Sequence, residues 1–246
     1  MGEEFSSTAE SANTVGLSFP PFHERAAQMT ELELAKVALT TQVRDLIRES
    51  FVSTADLSKF EEATRKVEEA LRLVFTPEPD DVSPTQRQFL DRSPFMGAMN
   101  PLAPPVTVQI IDGDPRSVEA RVTFTAPYEG PPGHVHGGLI AAVFDEILGF
   151  AQSLSGRPGM TGNLSINYRK PTPLNTELVF RGHITSIEGR KIFTTGTLHA
   201  GDTLCCEATG IFVSMKADTM ARLFRDRELS LLQKITEQGD GQPPST

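Results

Sequence analysis

Gly133-His134-Val135-His136-Gly137-Gly138-Leu139-Ile140-Ala141-Ala142-Val143-Phe144-Asp145-Glu146 is the stretch on which the fold turns. It sets a glycine pair at the head of an otherwise apolar helix and a carboxylate two turns further in. Leu139, Ile140, Val143, Phe144, Ile147 and Leu148 flank Asp145. Burying a carboxylate in such company costs several kcal/mol unless it is paired, hydrogen-bonded or neutralised. An arrangement that unfavourable for folding alone suggests chemistry.

The helix continues to about Ser153 and is apolar on most of its circumference, so it must be surrounded. Strand patterns lie on both sides of it. Residues 106–111 and 117–125 are joined by the turn Asp112-Gly113-Asp114-Pro115. Residues 161–169, 177–187, 191–200 and 203–215 follow, with hairpin turns at Glu188-Gly189-Arg190 and Gly201-Asp202. The order predicts an α+β fold, a curved antiparallel sheet wrapped around one long central helix.

Further out, Thr30 and Glu33 have capping-box spacing, and Leu32, Ala35, Leu39, Val43, Leu46 and Ile47 recur at helical intervals to about Phe51. A second helix starts near Thr54 with the stripe Leu57, Phe60, Val67, Leu71 and Val74, and Pro77 and Pro79 end it. Both helices are expected to pack on the main domain or on another subunit. The expected organisation is a disordered leader over 1–28, a helical extension over 29–77, the main domain over 78–216, and a C-terminal helix with a polar tail over 217–246. Met220, Leu223, Phe224, Leu229, Leu231 and Leu232 supply the apolar contacts of that last helix.

A balance of 23 Lys+Arg against 32 Asp+Glu, net charge -9, disfavours nucleic-acid and anionic-membrane binding but permits a local basic pocket. Cys205 and Cys206 are neighbours in one strand and point to opposite faces, so they cannot form an ordinary disulfide; a reducing, cytoplasmic setting is expected. Residues 1–28 lack a basic start followed by an apolar run, and no apolar stretch approaches about 20 residues, so neither a signal peptide nor membrane insertion is expected. Met1-Gly2-Glu3-Glu4-Phe5-Ser6 meets the loose N-myristoylation pattern, which six residues match easily by chance.

His136-Gly137-Gly138, Asp145 nine residues after His136, Thr161 opening the next strand, Asn163-Leu164-Ser165-Ile166-Asn167-Tyr168-Arg169-Lys170-Pro171, and Glu188-Gly189-Arg190-Lys191 occur together between Pro94 and Met215. This half of the chain resembles the hotdog fold of acyl-CoA thioesterases, in the PaaI-like and thioesterase-superfamily-member branch. The resemblance implies a thioester hydrolase with acyl-CoA as substrate and no cofactor, working as a homodimer or higher homo-oligomer. The helices before Pro77 and after Ala217 lie outside it.

Hydrolysis of a thioester requires a polarised carbonyl and a base or nucleophile. Backbone N–H groups at the head of the helix, near Gly137 and Gly138, lack intrahelical partners and sit at the positive end of its dipole. Gly138 N–H is therefore the expected oxyanion donor, although glycines here also suit a tight turn. Asp145 is the expected general base or nucleophile, against the alternative of a surface residue or a salt-bridge partner. Glu146, about 100° further round, is expected to be solvated or structural. Seven residues separate Gly138 from Asp145, about 10.5 Å along the axis, which is too far for one thioester group. The two would meet only across a dimer of antiparallel helices.

By resemblance, Thr161 orients the water, and Asn167, Arg169, Lys170, Arg190 and Lys191 fall in CoA-contacting regions; an ordinary strand threonine and a solvated basic rim are the alternatives. His136 is placed either as a donor to substrate or as a loop anchor. His134 and His136 form an H-x-H pair without a third ligand at suitable spacing, so no metal is expected. Two other readings remain: a thioesterase acting on carrier-protein-bound acyl groups, and a non-catalytic acyl-CoA-binding protein. A pure binder has no need of a carboxylate facing the thioester. A hydratase of the same fold fits less well.

Overall fold

The structure, a computed structural model, describes residues 29–75, 91–157 and 159–215. The leader, the stop at Pro77 and Pro79 and the C-terminal helix lie outside the described residues. Helix α1 spans Glu31–Val52 and α2 spans Leu57–Val74. Strands β1 (Thr107–Ile111) and β2 (Ser117–Thr123) precede a short 3-10 turn (Ala126–Tyr128) and the helix α3 (Gly137–Ser153). Strands β3 (Gly159–Tyr168), β4 (Glu177–Glu188), β5 (Lys191–Ala200) and β6 (Thr203–Ser214) complete one six-stranded sheet.

The sheet order is β1-β2-β4-β5-β6-β3, antiparallel throughout, and α3 lies against it. This is the hotdog arrangement. Gly189 and Gly201, at φ 58° and 54°, turn the two hairpins in the left-handed region that favours glycine. Ile140, Val143, Phe144, Ile147, Leu148 and Ala151 of α3 are buried against Val118, Ala120, Phe180, Leu198, Ala208 and Phe212 of the sheet. Each large side chain so buried contributes about 1.5–3 kcal/mol of apolar transfer. The helix approaches the sheet closely because a glycine floor admits it: a Cβ at Gly182 or at Gly196 would lie 3.1 Å from Leu148.

Thr30 caps α1 with the expected box, its side chain accepting from Glu33 N–H while Glu33 reaches back to Thr30 N–H. The second helix begins three residues later than its sequence pattern places it, because Asp56 rather than Thr54 supplies the cap, accepting from Lys59 N–H. Its stripe is not packed: no residue of α2 is buried, and Leu57, Leu71 and Val74 are exposed. α1 is tied to the domain by Arg44, which donates to the carbonyls of Gly97 (2.8 Å) and Asn100 (2.7 Å). Both cysteines are free and buried. No helix among the described residues is long and apolar enough to cross a membrane.

Candidate active site

The head of α3 is built by a knitted loop. His136 N–H donates to Tyr128 O, Val135 N–H to Thr172 O and Leu174 N–H to Gly133 O, which ties residues 133–136 to the β3–β4 connection. A Cβ at Gly130 would lie 2.7 Å from His136 Cα, so glycine is required for the loop to close there. His136 is the N-cap, and its Nδ1 accepts from Gly138 N–H at 3.0 Å. The donor expected to meet substrate is thus capped by the histidine. Gly137 N–H, one position earlier, has no acceptor among the described residues.

Asp145 is half-buried rather than enclosed, and Thr161 Oγ1 donates to its Oδ1 at 2.8 Å. Strict alternation along β3 would send Thr161 to the face opposite Leu164 and Ile166, which pack on the core. A bulge resolves this. Thr161 pairs with Phe212 and Asn163 with Ile211, leaving Gly162 as the extra residue. Thr161 therefore shares the inner face with Leu164, Ile166 and Tyr168, whose partners Gly210, Ala208 and Cys206 are all buried.

Glu146 faces the other way. Its Oε1 accepts from Ser93 Oγ at 2.7 Å, and burial pushes its carboxyl above the usual range, with the charge of Asp145 acting in the same direction. Glu146 lies under the loop that carries Ser93, and that cover is what desolvates it. A Cβ at Gly97 would fall 2.5 Å from Asp91 O, so this loop too is drawn tight.

A pocket of about 410 Å³ opens at the head of α3, lined by His134, Gly137, Ile140, Tyr168, Arg169 and Lys170 among others. Asp145 does not line it. Arg169 Nε also pairs with Glu207 at 2.6 Å, and both side chains are largely exposed. Asn167 falls on the outer face by strand alternation and away from the pocket. Arg190 and Lys191 sit at the opposite end of the sheet, where Lys191 pairs with Val213 beside the start of β3 and Arg190 Nε donates to Ser214 O. The two basic clusters are separated by the length of β3, roughly 30 Å. His134 Nδ1 donates to the Pro132 carbonyl, and no cluster of three metal-ligating side chains forms among the described residues.

Sequence reasoning missed Gly162, Ser93 and Tyr168. The odd separation of Thr161 from Leu164 was the one available signal for the bulge; nothing in the local pattern announces Ser93.

This fold and site have relatives. The family model described as thioesterase superfamily matches residues 132–207. The crystal structure of a thioesterase superfamily protein is 33% identical, covering 72% of this chain and 94% of that one with a TM-score of 0.61. The chain belongs to the thioesterase superfamily. Among curated relatives, acyl-coenzyme A thioesterase THEM4 of Mus musculus is 42% identical over 89 residues, 35% of this chain and 38% of that protein. Acyl-coenzyme A thioesterase THEM5 of Homo sapiens is 29% identical over 92 residues, 37% of each. The matches span about two fifths of the length of these curated relatives.

Proposed function

We propose that this protein hydrolyses acyl-CoA, consuming water and releasing a free carboxylic acid and the CoA thiol. The observation that carries the reading is the 2.8 Å hydrogen bond from Thr161 to Asp145, which aims a carboxylate on an apolar helix at an open strand edge. Thr161 holds one carboxylate oxygen and leaves the other to take a proton from water or to attack the carbonyl carbon. The thioester oxygen is received at the N-terminus of α3 by Gly138 N–H or its unpartnered neighbour Gly137 N–H, where the helix dipole favours developing negative charge. His136 must then surrender its cap. Names borne by the curated relatives agree with this substrate.

The site is completed by a second copy. β3 is an outer strand of the sheet, ten residues long, with Met160 58% exposed, and such an edge is a template for pairing. Antiparallel pairing of β3 with its own copy sets the start of one strand beside the end of the other. The partner copy's Asp145 and Thr161 then approach the head of α3, and its Arg190 and Lys191 approach Arg169 and Lys170. Two clusters that one chain keeps apart would flank a single polyanionic nucleotide. Asn167, on the outer face, contacts CoA only from that side.

Thiol release from a panel of acyl-CoAs of graded chain length tests the activity. The wild-type protein is expected to release CoA, with Asp145→Asn inactive, folded and dimeric. No release at any chain length, or an active Asn variant, overturns the mechanism. A monomer fully active at high dilution overturns the composite site alone.

A further inference from the structure

We propose that Tyr168 is a positioning residue for the oxyanion site, holding and polarising the peptide that joins Gly137 to Gly138. The inference rests on the reading of the α3 N-terminus as the place where the thioester oxygen is received. Tyr168 ends β3 on its inner face, and its hydroxyl donates to the Gly137 carbonyl at 2.8 Å. That carbonyl and the Gly138 N–H are the two ends of one planar unit. Fixing the oxygen therefore fixes the direction in which the N–H points.

The carbonyl retains a lone pair for the ordinary helical bond four residues on, so the tyrosine adds a partner without breaking the helix. Donation to a carbonyl also polarises the amide and strengthens its N–H as a donor. The same peptide is held at its other end by His136 Nδ1. When that imidazole leaves to admit substrate, Tyr168 and the first helical bond are what keep the plane from rotating. Glycines at both positions give the peptide little steric restraint of its own. Burial raises the phenol above its usual range, which keeps the proton in place for donation.

The tyrosine also lines the pocket, so it has a competing role as a wall for bound CoA. Tyr168→Phe keeps the ring and removes only the hydroxyl. Its kcat is expected to fall on the order of 10-fold, with KM changed by less than about twofold and the melting temperature held within about 3 °C. A second readout needs no turnover: the infrared carbonyl stretch of a 13C-labelled ketone analogue of acyl-CoA, with methylene replacing sulfur. Bound to wild type it is expected at lower frequency than bound to Tyr168→Phe. Unchanged kcat, a change in KM alone, a kcat loss that tracks a fall in melting temperature, or identical carbonyl stretches overturns the proposal. A wild type that releases no CoA overturns the thioesterase reading instead, and the infrared comparison still decides the tyrosine.

Discussion

Adjacent residues on α3 serve two unlike flanks of the helix. On the β3 flank, Asp145 is half-buried and held by one hydroxyl at a strand edge that no strand among the described residues pairs with. On the other flank, Glu146 lies under the 91–100 loop, accepts from Ser93, and has its carboxyl pushed up by burial. The open flank leaves a carboxylate partly exposed to solvent. The closed flank uses the same functional group as an internal strut. Cover by the 91–100 loop, rather than position along the helix, separates the two carboxylates.

The contrast breaks most decisively at Asp145. Replacement by Asn should lower kcat by about a thousandfold or more, since removal of a general base or nucleophile eliminates the step it performs. A residual rate above a tenth of wild type in the thiol-release assay would move the reactive group elsewhere. Thr161→Val should be next in size, costing about 10- to 100-fold in kcat without disturbing the strand register seen by amide exchange.

The closed flank should respond in stability more than in rate. Arg44→Met removes the hydrogen bonds that hold the 97–100 carbonyls, and about 1–2 kcal/mol of unfolding free energy should go with them. Denaturant titration checks this. Full retention of stability would show the loop to be held without α1.

Glu146→Gln should have the smallest effect on turnover, within about threefold of wild type. Its signature is in pH. A carboxyl raised in the folded state binds more protons folded than unfolded, so the wild type loses stability as pH rises from the unfolded value, about 4.3, through the folded one. The Gln variant accepts the same Ser93 hydroxyl and should lack that decline. Parallel stability curves for the two proteins across this window would place the desolvated carboxyl elsewhere.

The legible parts of the molecule were those set by local chemistry. The helix from Gly137, the strands around it and both hairpin glycines follow from periodicity and turn residues over a few positions. The capping box at Thr30 was equally plain. Less legible was which acid would be buried: Asp145 and Glu146 have the same apolar neighbours in sequence, and only the return of residues 91–100 across α3 distinguishes them. Gly162 and Tyr168 were missed for a related reason. A bulge is defined by the strand opposite, and a tyrosine at a strand end shows its partner only once α3 is in place.

The sequence by itself determined the elements and their order, because helix and strand periods and turn stereochemistry act over a handful of residues. It also determined the distance between Gly138 and Asp145, since helix rise is the same in any fold. Only the tertiary structure decided that Thr161 faces Asp145 and that the 91–100 loop buries the Glu146 carboxyl. Each depends on segments far apart in the chain meeting at hydrogen-bond distance. Such meetings are set by how the sheet curves over the helix and are not encoded at any one position.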